Sequence, residues 1–268
     1  MSVAARDRGD APRLIAHRGA SWHAPENTIA ATRTALRQGA DGIELDVRVT
    51  ACGTPVICHD ESPERTTIGS GRESLSVRTR AVRSSNLEEL QRLDAGAWFD
   101  SRFANERIPT LEQALAKIPA NRDLFLEWKG PPDGIETLVE LLLRARRERL
   151  RVLAFDLDSL RAITTLDPER RIRAHWLLRT EDRPAIDDLR DAACNFRFCG
   201  IGLGVTEKLD DPVGLGPDSA SWIRAILDLR LEIAAWTVDE STTARTLIHQ
   251  GVTTITTNRV DVLSAELT

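Results

Sequence analysis

Short β-rich runs alternate with segments of helical periodicity along the chain, and this alternation limits the possible folds more than any other sequence feature. The predicted strands are 14–17, 42–47, 124–128, 151–155, 172–177, 200–203, 232–237 and 253–257. Such alternation is typical of a parallel sheet whose strands are joined by crossover helices. Eight units predict a closed α/β barrel, and the 268 residues are close to the roughly 250 of one barrel domain. We therefore expect residues 1–268 to form a single domain.

A ninth extended run, residues 54–59, follows the second predicted strand too closely for a helix to intervene. We expect this run to fold back as an antiparallel hairpin strand. If residues 52–53 form a two-residue turn, Asp46 lies directly opposite His59. Glu44 then lies on the same face of the ladder. The hairpin thereby places a histidine next to two carboxylates.

Residues 60–108 interrupt the β/α alternation. They contain a Ser/Thr/Gly-rich stretch at 65–71 and a short amphipathic segment around 87–93. Loops of this length in compact barrels are usually functional or disordered, and barrel active sites lie at the carboxyl ends of the strands. We expect these residues to form an inserted cap over the active-site mouth.

Two histidines stand at the ends of predicted strands. His17 ends the first strand and His59 ends the hairpin strand. Because the carboxyl ends of barrel strands form the active site, we expect both side chains there. An imidazole with a pKa near 6.5 can accept or donate a proton at neutral pH. We interpret the pair as a candidate catalytic acid and base.

Three carboxylates on neighbouring predicted strands form a candidate metal site. Glu44 and Asp46 alternate with apolar residues on one strand, and Glu127 has the same arrangement on the next, with Lys129 on its face. Carboxylates in a barrel mouth are costly unless paired or metal-bound, although an exposed strand face is the alternative interpretation. Three oxygen donors suit Mg²⁺ or Ca²⁺, and no soft-ligand pattern indicates zinc.

The charge and hydropathy of the chain argue against two classes of partner. A net charge of −5 provides no basic field for nucleic acid. The polar stretch 1–12 lacks the apolar segment of a signal peptide, and no run approaches the ~20 apolar residues of a membrane span. We expect a cytoplasmic protein with no stable membrane association. The sequence does not indicate an oligomeric state.

Ordered motifs between residue 14 and about residue 260 resemble the glycerophosphodiester phosphodiesterase family. They are His17-Arg18-Gly19, Pro25-Glu26-Asn27-Thr28, the run 39–47 that contains Glu44 and Asp46, His59-Asp60, Arg65-Thr66-Thr67, Ile108-Pro109-Thr110-Leu111, Leu126-Glu127-Trp128-Lys129, Ala235-Trp236-Thr237-Val238 and the run 251–258. The combined spacing of these motifs is highly specific, and it covers nearly the whole chain.

The resemblance implies a TIM barrel that hydrolyses glycerophosphodiesters to glycerol 3-phosphate and an alcohol. It implies eight site residues: His17 and His59 as acid and base; Glu44, Asp46 and Glu127 as metal ligands; Arg18 and Lys129 on the phosphate, the latter alternatively on a glycerol oxygen; and Trp236 against the glycerol. The nucleophile is either water or the neighbouring glycerol hydroxyl. We interpret Glu26 and Asn27 as residues that organise the start of the following helix.

Several positions depart from the family pattern. Asp239 stands where asparagine is frequent, Asn258 where aspartate is common, and Cys52 where an Asp-Gly turn is usual. None of these changes removes a predicted ligand or proton carrier. We expect them to affect substrate preference and packing at the rim of the barrel.

Two other functions are compatible with the same residues. A sphingomyelinase D-like or phosphatidylinositol-cleaving barrel also combines two histidines with a metal, but such enzymes usually act at membranes. A phosphate-ester binding protein without turnover is the second alternative. A protein that binds without catalysis does not need an acid and a base, which favours an enzyme.

Overall fold

The computed structural model describes residues 12–69, 71–206, 211–214 and 216–267, and the side chains of 71–74 and 217 lie outside this description. Within these residues, nine strands form one sheet in the order β1-β9-β8-β7-β6-β5-β4-β2-β3. They are β1 Arg13–Ala16, β2 Gly42–Val49, β3 Pro55–Ile57, β4 Asp123–Trp128, β5 Leu150–Ala154, β6 Arg173–Leu178, β7 Gly200–Gly204, β8 Glu232–Trp236 and β9 Thr254–Thr257.

Helices connect and cover the strands. In the described part of the chain they are α1 Ile29–Arg37, α2 Gly71–Thr79, α3 Leu87–Gln91, α4 Leu111–Leu115, α5 Ile135–Ala145, α6 Leu157–Leu166, α7 Ile186–Phe196, α8 Ser219–Asp228, α9 Ser241–His249 and α10 Val260–Glu266. Short 3₁₀ turns lie at Val82–Ser84, Ser101–Phe103, Pro132–Gly134, Thr180–Asp182 and Gly216–Asp218. None of these helices has both the length and the apolar character needed to cross a bilayer.

Eight of the strands are parallel and close into a barrel. The ring closes where β1 pairs with β2, with Ile15 opposite Gly42, and with β9, with Ile15 opposite Thr256. The eight predicted strands are confirmed, each within two residues of its predicted bounds. The predicted TIM barrel with one additional hairpin strand is therefore confirmed.

Alternation along each strand divides the barrel into two apolar layers. In β4, Leu124 and Leu126 face outward into the large core between sheet and helices. Phe125 faces inward and packs with Ile15 and Leu177 inside the barrel. The next inward residue after Phe125 is Glu127, so the same alternation that builds the inner core delivers a carboxylate to the carboxyl-terminal end.

The predicted pairing of the hairpin is wrong by one residue. β2 and β3 pair with Val47 opposite Ile57, and the Cys58 amide donates to the Asp46 carbonyl at 3.0 Å. The turn contains three residues, 51–53, because Gly53 takes a φ of +80° and completes a loop of the kind that ends in a left-handed residue. His59 therefore does not lie opposite Asp46 but follows the strand by two residues.

The segment 60–108 packs against β3 around its own apolar cluster. The buried members of that cluster are Val56, Cys58, Val77, Val82, Leu90, Leu93, Ala95 and Ile108. The Asn86 capping box starts α3. This second cluster gives the inserted segment a packed interior, which explains why helices form in this segment although the β/α alternation of the barrel is interrupted there.

Candidate active site

Three carboxylates meet at the carboxyl-terminal end of β2 and β4. Asp46 lies directly opposite Glu127 in the parallel ladder, and Glu44 is two residues before Asp46 on the same face. One oxygen from each of the three side chains lies within 4.8 Å of the others. Glu44 and Asp46 are buried. The predicted set of three oxygen donors is thus brought together.

The three carboxylates of this cluster repel one another, and nearby cations compensate their charges only in part. Burial, followed by the charge of Asp46, raises the pKa of Glu127 to about 7. Burial also raises the pKa of Glu44 well above its usual value, and the charge of Asp46 adds to the effect. Burial acts to raise the pKa of Asp46, but the neighbouring charges of Arg18 and Lys129 outweigh this effect and lower the pKa. The protein cations outweigh burial and repulsion at Asp46, but they do not do so at Glu44 and Glu127.

The carboxylates fit a hard divalent cation. Glu44 Oε1 and Asp46 Oδ1 are buried and accept no hydrogen bond from any described residue. Lys129 Nζ contacts Glu127 Oε1 and lies 3.4 Å from Asp46 Oδ1. A buried carboxylate oxygen without a donor is costly, and Mg²⁺ and Ca²⁺ bind such oxygens.

A left-handed turn after β1 positions Arg18. Arg18 has a φ of +55°, and its backbone N–H donates to Glu44 Oε2 at 2.9 Å. Its side chain donates to Glu26 Oε1 at 2.8 Å, and its Nε lies 3.2 Å from Asp46 Oδ2. The guanidinium is therefore held at the edge of the carboxylate cluster.

Asn27 supports Asp46 directly. The Asn27 amide nitrogen donates to Asp46 Oδ2 at 2.8 Å, and the Asp46 backbone N–H donates back to Asn27 Oδ1 at 3.2 Å. Asn27 is buried with a φ of +60°. Thr28 is the cap of α1, accepting from the Ala31 N–H. The interpretation of Glu26 and Asn27 as helix-start residues is wrong, since their side chains turn to Arg18 and Asp46.

His17 follows β1 and lies beside Glu44. Its backbone N–H donates to the Thr257 carbonyl, which extends the barrel ladder by one residue. The ring places Nδ1 at 2.8 Å from Asn258 Oδ1 and Nε2 at 4.0 Å from Glu44 Oε2. Burial, and then the charge of Arg18, lowers the pKa of His17 to about 4. The imidazole is therefore neutral near pH 7.

His59 is held by Asp60 and the inserted segment. His59 Nδ1 lies 2.6 Å from Asp60 Oδ1, and Asp60 Oδ2 accepts from Arg65 Nε at 2.6 Å. Arg65 also donates to both oxygens of Glu26 at 2.8 Å. Burial lowers the pKa of His59, while the charge of Asp46 acts against that effect. His59 is thus within electrostatic reach of the carboxylate cluster.

Aromatic rings form one wall of the mouth. Trp236 and Phe155 pack edge to face with ring centroids 5.8 Å apart. Lys129 Nζ lies 5.9 Å and the Arg179 guanidinium 4.5 Å from the centroid of Phe155. Trp236 is partly exposed, and its Nε1 has no hydrogen-bond partner among the described residues.

The eight predicted site residues lie around one centre, and sequence reasoning missed several that support them. The missed supporting residues are Ser21, Glu26, Asn27, Asp60, Arg65, Phe155, Arg179, Asp239 and Asn258. Asp60 was detectable because it follows His59 directly. The pairing of Asn258 with His17 joins residues 241 positions apart, and it becomes visible only when the barrel closes.

Comparison with known proteins gives a consistent family. The model of the glycerophosphoryl diester phosphodiesterase family matches residues 17–262. The chain is 48% identical over 132 residues to the protein YhdW of Bacillus subtilis (strain 168), covering 48% of this chain and 51% of that protein. It is 40% identical over 166 residues to a glycerophosphodiester phosphodiesterase of Caldanaerobacter subterraneus subsp. tengcongensis, covering 59% and 64%. These matches span about half to two thirds of the relatives' lengths.

A solved structure extends the likeness over the whole barrel. A phosphodiesterase from Oleispira antarctica, in complex with the product sn-glycerol-3-phosphate, superposes with a TM-score of 0.76 at 25% identity. The superposition covers 96% of this chain and 97% of that one.

Proposed function

Because this chain belongs to the glycerophosphoryl diester phosphodiesterase family, we propose that it is a phosphoric diester hydrolase that cleaves glycerophosphodiesters to glycerol 3-phosphate and an alcohol. One observation carries this proposal: two histidines flank three clustered carboxylates at the carboxyl-terminal end of a parallel barrel. The structural likeness to a phosphodiesterase that holds sn-glycerol-3-phosphate supports the same substrate class.

A divalent cation, Mg²⁺ or Ca²⁺, belongs to the proposal. Glu44, Asp46 and Glu127 would hold it, since their buried oxygens converge and two of them accept no hydrogen bond from described residues. Such a cation would neutralise the charge of the phosphodiester and favour charge development on its oxygens. The raised pKa values of Glu44 and Glu127 support the need for positive charge at this position.

His17 and His59 act as the acid and base. Each ring has one nitrogen tied to an oxygen acceptor, Asn258 Oδ1 for His17 and Asp60 Oδ1 for His59, which leaves Nε2 of each ring for proton transfer. Paired proton transfer by positioned imidazoles typically contributes about 10²–10⁴-fold each to rate.

Arg18 and Lys129 bind the phosphate, and Trp236 packs against the glycerol. Arg18 reaches the centre from the β1 turn, and Lys129 reaches it from the end of β4. Donors fixed before substrate arrives stabilise the developing charge without reorganisation. The edge-to-face packing of Trp236 on Phe155 supports a rigid apolar wall for the carbon skeleton.

The remaining parts of the proposal concern the setting of the enzyme. We propose that residues 60–108 form a cap on a single barrel domain, since Arg65 of this segment binds Glu26 and Asp60 at the mouth. The net charge of −5 opposes nucleic acid as a partner. The local cations Arg18 and Lys129 at the centre support a small-molecule phosphodiester instead. A cytoplasmic location without stable membrane association stays a prediction.

The test is release of glycerol 3-phosphate from glycerophosphocholine and glycerophosphoethanolamine. The assay is run with added Mg²⁺, with added Ca²⁺ and with EDTA. We expect release with at least one cation and none with EDTA. His17→Ala and His59→Ala variants with wild-type circular dichroism should lose at least ~100-fold in kcat. Release that is equal in all buffers would disprove the metal dependence, and no release in any buffer would disprove the activity.

A further inference from the structure

A chain of hydrogen bonds runs from Asp239 through Asn258 to His17. Asp239 Oδ2 accepts from the Asn258 side-chain nitrogen at 2.7 Å, and Asp239 Oδ1 accepts from the Asn258 backbone N–H at 2.8 Å and from Thr257 Oγ1 at 3.0 Å. On its other side, Asn258 Oδ1 lies 2.8 Å from His17 Nδ1 and accepts from Ser21 Oγ at 2.7 Å.

The chemistry of the groups fixes the direction of this chain. An ionised carboxylate only accepts hydrogen bonds, so the side chain of Asn258 must turn its nitrogen toward Asp239 and its oxygen toward His17. An amide oxygen also only accepts, so the hydrogen between Asn258 and His17 must sit on Nδ1 of the ring. In the neutral imidazole, Nε2 then carries the lone pair, on the side of Glu44.

Three neighbouring strands place these groups. Asp239 follows β8, Asn258 follows β9 and His17 follows β1, and these strands are adjacent in the sheet. The backbone is fixed at both joints, by Val238 N–H to the Thr256 carbonyl at 2.9 Å and by His17 N–H to the Thr257 carbonyl at 2.8 Å. The chain of hydrogen bonds is therefore built on rigid elements.

We propose that Asp239 and Asn258 are positioning residues that hold the neutral ring of His17 as its Nδ1–H tautomer, with Nε2 free to accept a proton. The catalytic consequence rests on the proposed function, because it requires His17 to take up a proton at Nε2. Asp239 acts on His17 through Asn258, and among the described residues its hydrogen bonds go to Thr257 and Asn258, not to the carboxylate cluster. Exchanging this carboxylate for an amide should therefore alter the tautomer of a ring it does not contact.

The first test reads the tautomer directly. Multiple-bond ¹H–¹⁵N NMR distinguishes a protonated from an unprotonated ring nitrogen, and the chain has 5 histidines, so the signals are few. The His17→Gln spectrum identifies those of His17. In resting wild-type enzyme at pH 8, with and without Mg²⁺, we expect the Nδ1–H form. A wild-type ring in the Nε2–H form overturns the proposal.

The Asp239→Asn variant should reverse the direction of the hydrogen bonds from residue 239 through Asn258 to His17. The Asn258 backbone N–H holds the oxygen of the new amide at residue 239, so the nitrogen of that amide faces the Asn258 side chain. The Asn258 side chain must then turn over, with its oxygen toward residue 239 and its nitrogen toward His17. The ring is then forced into the Nε2–H tautomer. An enzyme whose catalytic base is held in the wrong tautomer can lose about 10⁴-fold in kcat. For Asp239→Asn we expect kcat to fall at least ~100-fold while KM changes little. Retention of Nδ1–H in this variant overturns the proposal.

The double variant Asp239→Asn/Asn258→Asp should restore the original direction. The new amide nitrogen donates to the new carboxylate, whose second oxygen accepts from His17 Nδ1–H. We expect the Nδ1–H tautomer to return and kcat to recover at least ~10-fold over the single variant. A purely structural role predicts no such rescue. If the single variant does not fold, the wild-type and double-variant spectra still decide the tautomer.

Controls separate this proposal from the proposed function. Asn86→Asp and Asp187→Asn make the same chemical exchanges at exposed helix-start positions remote from the site, and should leave both tautomer and kcat unchanged. The NMR result does not depend on substrate. Wild-type Nδ1–H without glycerol 3-phosphate release would disprove the activity and leave the positioning intact. Release with the Nε2–H tautomer would disprove the positioning alone.

Discussion

Asp46 on β2 lies directly opposite Glu127 on β4, so two carboxylates share one face of a parallel ladder at the barrel mouth. Like charges placed opposite each other destabilise a sheet. Burial and the charge of Asp46 raise the pKa of Glu127 to about 7. The barrel therefore carries a strained pair at the position where the proposed cation binds, as expected when function and stability compete.

Removing one of these charges should stabilise the metal-free protein. We expect Glu127→Gln to raise the melting temperature in EDTA by about 2–4 °C, corresponding to roughly 1 kcal/mol for a chain of this size. Lys129 keeps its contact with Asp46 in this variant. Release of glycerol 3-phosphate should fall at least ~100-fold, and the rise in melting temperature on adding Mg²⁺ or Ca²⁺ should shrink.

Glu140→Gln is the matched control. Glu140 pairs with Arg144 on the exposed face of α5, and such a helix pair contributes about 0.3–0.5 kcal/mol. We expect this control to lower the melting temperature slightly and to leave cation-induced stabilisation intact. A Glu127→Gln protein that melts below wild type in EDTA would contradict the interpretation of the cluster as a destabilising set of charges.

Asn27 should govern cation affinity through Asp46. Asn27→Ala removes both hydrogen bonds between the two residues. Loss of a group that orients a ligand typically weakens metal binding about 10–100-fold. We expect that loss in isothermal titration calorimetry with Mg²⁺ or Ca²⁺. We also expect a destabilisation of about 2 kcal/mol, because the buried Asp46 loses the Asn27 amide as a donor to its carboxylate and as an acceptor for its N–H.

The control for this prediction is Asn105→Ala. Asn105 also has a positive φ, +73°, but it is exposed and remote from the carboxylates. It therefore reports the cost of the left-handed backbone for alanine, about 1 kcal/mol, without the loss of ligand support. Equal cation affinity in wild type and Asn27→Ala would show that Asp46 does not need its amide partner.

The sequence predicted what depends on local periodicity and on order along the chain. Alternation of apolar residues places Glu44, Asp46 and Glu127 on inward faces, and the structure confirms it. The hairpin register was wrong because it depends on one backbone angle, the positive φ of Gly53, which lengthens the turn. Pattern alone cannot decide between loops of two and three residues.

The supporting polar residues were missed for a different reason. Asn258 and Asp239 meet His17 only after β8, β9 and β1 become neighbours. Their expected effect was limited to rim packing and substrate preference, whereas they hydrogen-bond the ring of a candidate catalytic histidine. Side-chain partners this far apart in sequence leave no periodic signal.

Arg65 connects the inserted segment to the site, and its removal should affect catalysis more than stability. It donates to Asp60, which holds His59, and to Glu26, which holds Arg18. Its side chain is 48% exposed, so the ion pairs contribute little to folding. We expect Arg65→Lys to lose the bidentate geometry and lower kcat about 10-fold, with the melting temperature within about 1 °C of wild type.

Arg102→Lys tests whether any arginine of this segment would do the same. Arg102 pairs with Asp100 in an exposed position. We expect its kcat to equal that of wild type. A large drop in the melting temperature of Arg65→Lys would instead assign Arg65 to holding the segment in place.

The charged cluster around Glu232, at the end of the barrel opposite the candidate active site, should determine how the stability of the protein depends on acid pH. Glu232 accepts from Arg151 Nε at 2.9 Å and lies 3.2 Å from His175 Nε2, while Arg173 also contacts it. Burial acts to raise the pKa of Glu232, but the close contact with His175 and the hydrogen bond from Arg151 outweigh it and lower that pKa to about 2. A carboxyl with a lowered pKa stabilises the fold above its unfolded value of about 4.5, and that stabilisation is lost as the pH falls toward 2.

Glu232→Gln should therefore reduce stability at pH 7 and flatten its acid dependence. Removing the Glu232 charge leaves Arg151, among the described residues, with its Asp123 ion pair alone and takes the Glu232 partner from Arg173. We expect a loss of about 1–3 kcal/mol in urea unfolding at pH 7. Between pH 4.5 and 2 the free energy of unfolding should fall less steeply than in wild type, because the variant lacks the titrating carboxyl. Glu148→Gln, an exposed exchange, should keep the wild-type slope. Identical slopes for wild type and Glu232→Gln would show that another group governs acid unfolding.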